Sequence, residues 1–374
     1  MSIPWLLFAT VIVAFIQSII FHKWGLTNIE YKRVFSQKTA FEGEEIEMID
    51  QISNRKLLPV FWLRLESKIN TTLKFDKKTQ PNIEIHDEEF HRSFFSFLPY
   101  QRITRKQKVT CMKRGYFRFK TVSISTGDLL GFGETFKSLH AMAEIKIYPK
   151  ILSMDEIPLP THSWLGDLLV KRWIIDDPFV RSGIRDYTYG DSLSSVNWKS
   201  TARTGVLQVN KNDFSADHHL MIYLNFDQTE DIWRPINDKE VIEKGISYAA
   251  TIGEYAISKG VSTGFGCNSY LIDDLTTSPI KESVRIHPSS GNQQTTQLFD
   301  TLAKLELDMT LSFHYFLDED IENELKGTDI LILTSIYTER MRERVEQLEA
   351  LGNSVEILML STEDKIAEVG DVRC

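Results

Sequence analysis

The run IPWLLFATVIVAFIQSIIF, Ile3 to Phe21, carries no charge, and its only strongly polar side chain is Gln17. No other feature limits the fold of this chain so sharply. At 1.5 Å of rise per residue, a helix over this run is just long enough for a hydrocarbon core of about 30 Å. Trp5 and Trp24 stand at its two ends, where indole rings favour the interface. A cleaved signal peptide has a basic region before the apolar run and small residues after it. Here no Lys or Arg precedes the run, and Ile20, Phe21, His22 and Trp24 are bulky. Residues 1–24 therefore read as an uncleaved transmembrane anchor. Lys23, Lys32 and Arg33 all follow the run. The positive-inside tendency then predicts a single-pass protein of the cell membrane, with its soluble part in the cytoplasm.

A chain of 374 residues predicts about two or three domains. Its formal charge of −9 argues against nucleic acid as a partner, because a phosphate-binding surface needs a basic excess. The three cysteines, Cys111, Cys267 and Cys374, are too scattered for a disulfide framework or a zinc cluster, and they suit a reducing compartment.

Residues 25–150 alternate. Ile46, Met48 and Ile52 stand among acids and Gln51, Phe61, Leu63 and Leu65 interleave with Trp62 and Arg64, and YFRFKTVSIS (Tyr116 to Ser125) is aromatic and β-branched. Such period-two runs predict an antiparallel β-sandwich-like region. Arg102 to Lys120 contains eight basic residues and no acid, which reads as a solvated strand pair close to a membrane surface. Gly127, Gly131 and Gly133 mark loops, without the Lys-Ser/Thr ending of a phosphate loop.

Residues 151–215 form a connector that holds the most densely functionalised stretch, Asp177 to Asn212. Ile184 to Tyr187 reads as a strand, Ser194 or Ser195 as the cap of a short helix running through Trp198 to Ala202, and Gly205 as its end. Arg185, Asp191 and Arg203 are candidates for one buried or half-buried ion network. Such a network serves either as structural glue or as a ligand or partner surface. Ser192, Ser194, Ser195 and Ser200 have no nearby activating His, so no catalytic residue is assigned. Gly183-Ile184-Arg185-Asp186-Tyr187, Gly190-Asp191, Val196-Asn197-Trp198-Lys199 and Ala202-Arg203 resemble the signature of the domain-of-unknown-function 58 family. Lys113-Arg114-Gly115-Tyr116 and Gly127-Asp128-Leu129-Leu130-Gly131-Phe132 are similar to that family's upstream elements. Departures are Ser194 and Ser195, where basic residues are common, Lys211 near a usual acid, and Leu129 in place of Pro. A second anchoring helix, common in the family, is not visible. Arg185, Tyr187, Gly190, Asp191, Trp198, Lys199 and Arg203 are the signature residues, read as a joint on which a partner surface can be built.

Residues 216–374 alternate between apolar strands and helices. Strands are expected at Leu220–Phe226, Val261–Cys267, Ser283–His287, Asp329–Thr334 and Val355–Leu360. Helices are expected at Val241–Lys259, Gln294–Leu305 and Thr338–Leu351. This order predicts a doubly wound parallel sheet with its ligand crevice at the carboxyl ends of the strands. The region resembles a von Willebrand factor A-type domain. That resemblance implies a metal-ion-dependent site, whose matching residues here are Asn225, Asp227 and Thr229, followed by Ser335 after the later strand. Asn replaces one acid and Ser another, so the site is degenerate for a hard cation such as magnesium. The plain alternative is that Asn225 and Asp227 cap the strand end and its loop.

The whole reads as an α+β multidomain chain: anchor, β-sandwich-like region, connector, then a von Willebrand A-like α/β domain. The expected function is that of a non-enzymatic membrane-tethered adaptor without a cofactor. The resemblance implies a MoxR-type AAA+ ATPase partner and a role in assembling or maturing envelope proteins. The alternatives are a metal-dependent hydrolase using Asp191 or Asp227, and an adhesion-type binding module.

Overall fold

Period-two burial shapes the N-terminal half. In β3 (Glu45–Asn54), Ile46, Met48 and Ile52 are buried, while Glu47, Ile49 and Gln51 on the other face are half-buried. Val109 and Cys111 are buried in the same way on β8 (Arg102–Cys111). A computed structural model of the chain describes residues 3–68, 72–75, 83–86, 90–128, 133–159, 176–188, 196–214, 219–230, 236–272 and 281–361. It is a mixed α/β multidomain chain with an apolar N-terminal helix and many strands. Two units divide it: Met1–Lys150 with Leu302–Lys304, and Ile151–Thr301 with Leu305–Cys374.

In the first unit, helix α1 (Ile3–Trp24) is long and apolar enough to cross a membrane. Two sheets follow it. One has the order β1-β3-β8-β5, with β1 (Ile29–Phe35) and β5 (Leu73–Phe75). The other has the order β2-β10-β9-β4-β7-β6. Its strands are β2 (Thr39–Phe41), β4 (Val60–Lys68), β6 (Ile83–His86), β7 (Phe90–Phe97), β9 (Gly115–Gly127) and β10 (Glu134–Tyr148). The sheets face each other, because both buried clusters draw on both of them. One cluster joins Met48 and Val109 to Phe119 and Ile145, and the other joins Ile29 and Ile52 to Leu63 and Ile124. This is a β-sandwich.

A polar row crosses the sandwich. Arg33, Asp50 and Arg105 stand side by side in register on β1, β3 and β8, and all three are buried. Arg33 Nε donates to Asp50 at 2.8 Å, and Tyr31 donates its hydroxyl to the same carboxylate. The Arg105 guanidinium lies 5.7 Å from the Phe95 ring centre. Only part of the basic stretch is therefore the solvated surface read from sequence. Lys106, Lys108, Lys113 and Lys120 are exposed, but Arg105 and Arg114 are buried. The strand period places Arg105 on the same inward face as Val109.

In the second unit, β13 (His219–Leu224), β14 (Ser262–Cys267), β15 (Val284–Ser289), β16 (Thr328–Thr334) and β17 (Ser354–Met359) form one sheet. Their order is β15-β14-β13-β16-β17; every pair is parallel except β14 with β15. Helices cover both faces. Gly245 and Gly253 of α3 (Lys239–Ser258) lie against Leu224 and Ile222, and Leu298 of α4 (Asn292–Lys304) packs beside Gly253. On the opposite face, Met221 and Tyr223 pack with Phe313 and Phe316 of α5 (Phe313–Glu322) and with Val345 and Leu348 of α6 (Glu339–Ala350). Two-residue alternation in β13 separates these two sets. The sheet is thus doubly wound, with one antiparallel edge. Helix α5 is an element that the sequence reading leaves unassigned. Its first residues, Phe-His-Tyr-Phe, are weaker helix formers, and its Ser312 cap position makes no side-chain cap.

Candidate functional site

The signature stretch forms a small module. Strands β11 (Asp176–Asp186) and β12 (Gln208–Phe214) pair antiparallel, and α2 (Trp198–Thr204) precedes β12. The helix start is capped by Asn197, whose side chain accepts from Ser200 N at 3.1 Å. This replaces the expected Ser194 or Ser195 cap, and both serines lie outside the described residues. Asn197 is bound on its other side, donating to Asn210 Oδ1 at 2.8 Å. Gly205 ends the helix at φ 71°, a left-handed conformation that favours glycine. Thr201 Oγ1 then receives Gln208 N at 3.0 Å, and the Gln208 amide donates to Asp186. Asn197, Thr201, Gln208 and Asp186 are thus the residues that hold the module together.

The charged and aromatic signature residues sit outside that frame. Trp198 is 66% exposed, and Arg185, Lys199 and Arg203 are exposed as well. Tyr187 is half-buried. Arg185 Nη1 donates to the Asp186 carbonyl and to Thr188 Oγ1, both at 3.2 Å. Arg185 and Arg203 are exposed, and the buried or half-buried ion network read for them with Asp191 falls in part outside the described residues. Gly190 and Asp191 lie outside the described residues.

The second candidate lies at the carboxyl ends of β13 and β16, where the strand order turns back from β14 towards β17. Ligands of open α/β sheets enter at such a point. Asn225 is fully buried. Its Nδ2 donates to Thr334 Oγ1 at 2.9 Å, and its Oδ1 accepts from Asp227 N at 2.8 Å. Asp227 Oδ1 accepts from Asn268 Nδ2 at 2.8 Å, and Oδ2 accepts from Phe313 N at 2.8 Å. Ser335 Oγ donates to the Asp227 carbonyl at 3.2 Å. Thr229 is half-buried in the loop that follows.

Asp227 is therefore the cap of α5. Phe313 carries the first free N–H of that helix, and a carboxylate there both accepts the bond and meets the positive end of the helix dipole. Burial pushes the Asp227 carboxyl up to about 6, against the opposing pull of the Phe313 N–H and the Asn268 amide. Asn268, fully buried, is the second structural partner; its Nδ2 also donates to Leu311 O at 2.9 Å, and its Oδ1 accepts from Phe226 N. Sequence reasoning missed both Asn268 and Phe313. Asn268 directly follows a strand, and that position is the only local signal for it.

These donors do not fit a hard cation. Magnesium wants several oxygens free to point at one centre. Here both Asp227 oxygens accept N–H bonds, and Asn225 turns its amide NH2 into the protein. Among the described residues, no three His, Cys, Asp or Glu side chains gather closely enough to hold a metal ion. Cys111 and Cys267 are buried.

No family model matches this chain, and no curated protein matches it. Similar solved structures cover part of it. A non-cellulosomal cohesin from the archaeon Archaeoglobus fulgidus is 14% identical, with a TM-score of 0.22, over 34% of this chain and 94% of that one. The CARDB domain of a Pyrococcus furiosus protein is 8% identical, with a TM-score of 0.21, over 32% and 93%. The bacterial hydrophobin BslA is 12% identical, with a TM-score of 0.22, over 34% and 98%.

Proposed function

We propose that this chain is a non-enzymatic, membrane-tethered adaptor, held by α1 with its soluble units in the cytoplasm. Its partner is a MoxR-type AAA+ ATPase, and its role is in assembling or maturing envelope proteins. The observation that carries the reading is the outward display of the signature. Trp198 is 66% exposed, and Arg185, Lys199 and Arg203 are exposed too, while Asn197, Asp186 and Gln208 make the hydrogen bonds that hold the module. Trp and Arg are the side chains that most often dominate binding energy at protein interfaces.

Two further features support it. The resemblance to the domain-of-unknown-function 58 family and to von Willebrand A-type domains is compatible with the open, mostly parallel sheet of the second unit. Asp227, the carboxylate that a hydrolase would use there, is engaged as the cap of α5. Detergent pull-down of the full chain from native membranes tests the proposal. The intact chain enriches an AAA+ ATPase, and Trp198→Ala lowers the yield at least about tenfold, corresponding to about 1.4 kcal/mol. Absence of any AAA+ ATPase with the intact chain refutes it.

A further inference from the structure

The end of the sandwich from which α1 leaves gathers exposed apolar side chains on loops tied to each other and to the helix. The helix exit is fixed there. Phe21 is buried, with its ring centre 5.6 Å from that of Phe61. Gly25 N donates to Phe21 O at 2.7 Å, and a Cβ on Gly25 would lie 3.0 Å from the Thr126 methyl. Lys56, in the loop between β3 and β4, donates its ammonium to the carbonyls of Trp24 and Gly25. A cation on the last carbonyls of a helix stabilises that terminus.

The same end holds two loops stapled to each other. Asn54, almost fully buried, donates to Leu58 O and Leu98 O, each at 3.0 Å. Tyr100 N donates to Lys56 O at 3.2 Å. On these fixed loops, large apolar side chains point into solvent: Leu57 is 76% exposed, Leu98 68% and Tyr100 70%. Trp24, half exposed, adjoins them. Tyr100 holds φ at 55°, a left-handed conformation that an aromatic residue rarely adopts, and its ring is left without burial inside the protein. The loop sequences Asn-Arg-Lys-Leu-Leu-Pro-Val (54–60) and Phe-Leu-Pro-Tyr-Gln-Arg (97–102) contain basic residues and no acid. Apolar and aromatic side chains mixed with Lys and Arg make up the composition that seats protein in the headgroup layer of a bilayer.

We infer that this end is a membrane-seated rim, with Leu57, Leu98 and Tyr100 inserted into the interfacial layer of the leaflet from which α1 exits. The occupant is the phospholipid bilayer itself. The inference rests on the reading that α1 crosses a membrane. Continuity argues for it: the Trp24 and Gly25 carbonyls that close the helix are bound by Lys56, next to Leu57, so a bilayer holding the helix meets these loops first.

The test uses the full chain carrying Cys374→Ser, reconstituted into phosphatidylcholine vesicles containing lipids spin-labelled at a shallow or a deep position on the acyl chain. An environment-sensitive fluorophore is placed on Leu57→Cys, Leu98→Cys or Tyr100→Cys, with Met112→Cys and Phe15→Cys as references; native Cys111 and Cys267 are buried. Met112 is exposed at the opposite end of β8, about 30 Å away at 3.3 Å per residue. The rim positions are expected to be quenched by shallow spin labels at least about twofold more than Met112, and Phe15 by deep ones. Quenching at 57, 98 and 100 no greater than at Met112, with Phe15 quenched, overturns the rim while keeping the membrane helix. Absence of quenching at Phe15 overturns the membrane reading and the rim with it.

Discussion

Replacing Asp227 with Asn tests, through its pH dependence, the balance between burial and capping at this carboxyl. Burial raises the Asp227 carboxyl from 3.8 to about 6, so the folded protein binds this proton more tightly than the unfolded chain does. Its favourable contribution is fully present below about pH 4 and is lost as pH rises through 6. A shift of about 2 pKa units corresponds to about 3 kcal/mol. The dipole of α5 favours the carboxylate by about 0.3–1 kcal/mol, which leaves a net effect of about 2 kcal/mol. The Asn variant keeps one acceptor for Phe313 N or for Asn268, leaves the other donor unmet, and never charges. It therefore carries a pH-independent loss of about 1–3 kcal/mol. Between pH 4 and pH 7, the stability difference between the two proteins should move about 2 kcal/mol in favour of Asp227→Asn. Hydrogen exchange over Phe313–Glu322, corrected for intrinsic rates, reads the local opening free energy of α5. A difference that stays constant with pH, or moves towards the wild type, refutes the claim that burial outweighs the capping bonds at Asp227.

Two further substitutions probe the packing on which the sites depend. Asp50→Ala leaves buried Arg33 without its counter-ion and should destabilise the sandwich by about 3–5 kcal/mol in urea titration; an effect below about 1 kcal/mol contradicts a buried pair. Gly264→Ala places a Cβ 2.6 Å from the Ile286 carbonyl, where β14 and β15 shift register. It should cost about 1–3 kcal/mol or more, read as a lower thermal midpoint of the α/β unit, and an unchanged midpoint contradicts that close approach.

Much of the architecture was legible because it follows from local periods. The strands of the sandwich and the apolar strands of the α/β sheet are visible as alternation and as short apolar runs, and Gly205 and Gly352 mark helix ends. What escaped depends on distant partners. Helix α5 is capped by a carboxylate from the far end of β13, across 86 positions of sequence. Without that partner, its aromatic start does not read as a helix. Arg105 sits in a basic run and looks solvated, yet its place on β8 turns it inward beside Asp50. Asn197 belongs to the signature by sequence, and only its bonds to Ser200 and Asn210 make it the cap. At the strand-end site, Asn225, Asp227 and Ser335 come together as their order along the sheet predicts. Their hydrogen bonds, invisible in sequence, direct them to structure.

The display of Trp198 is the central claim, and contact capture at that position tests it most directly. The full chain carrying Trp198→benzoylphenylalanine is irradiated in its native membrane, and the adducts are identified by mass spectrometry. The account predicts a principal adduct with an AAA+ ATPase, much weaker when the same photo-reactive residue replaces exposed Met142 on β10. Equal capture at both positions, or capture at 198 that contains no ATPase, contradicts it.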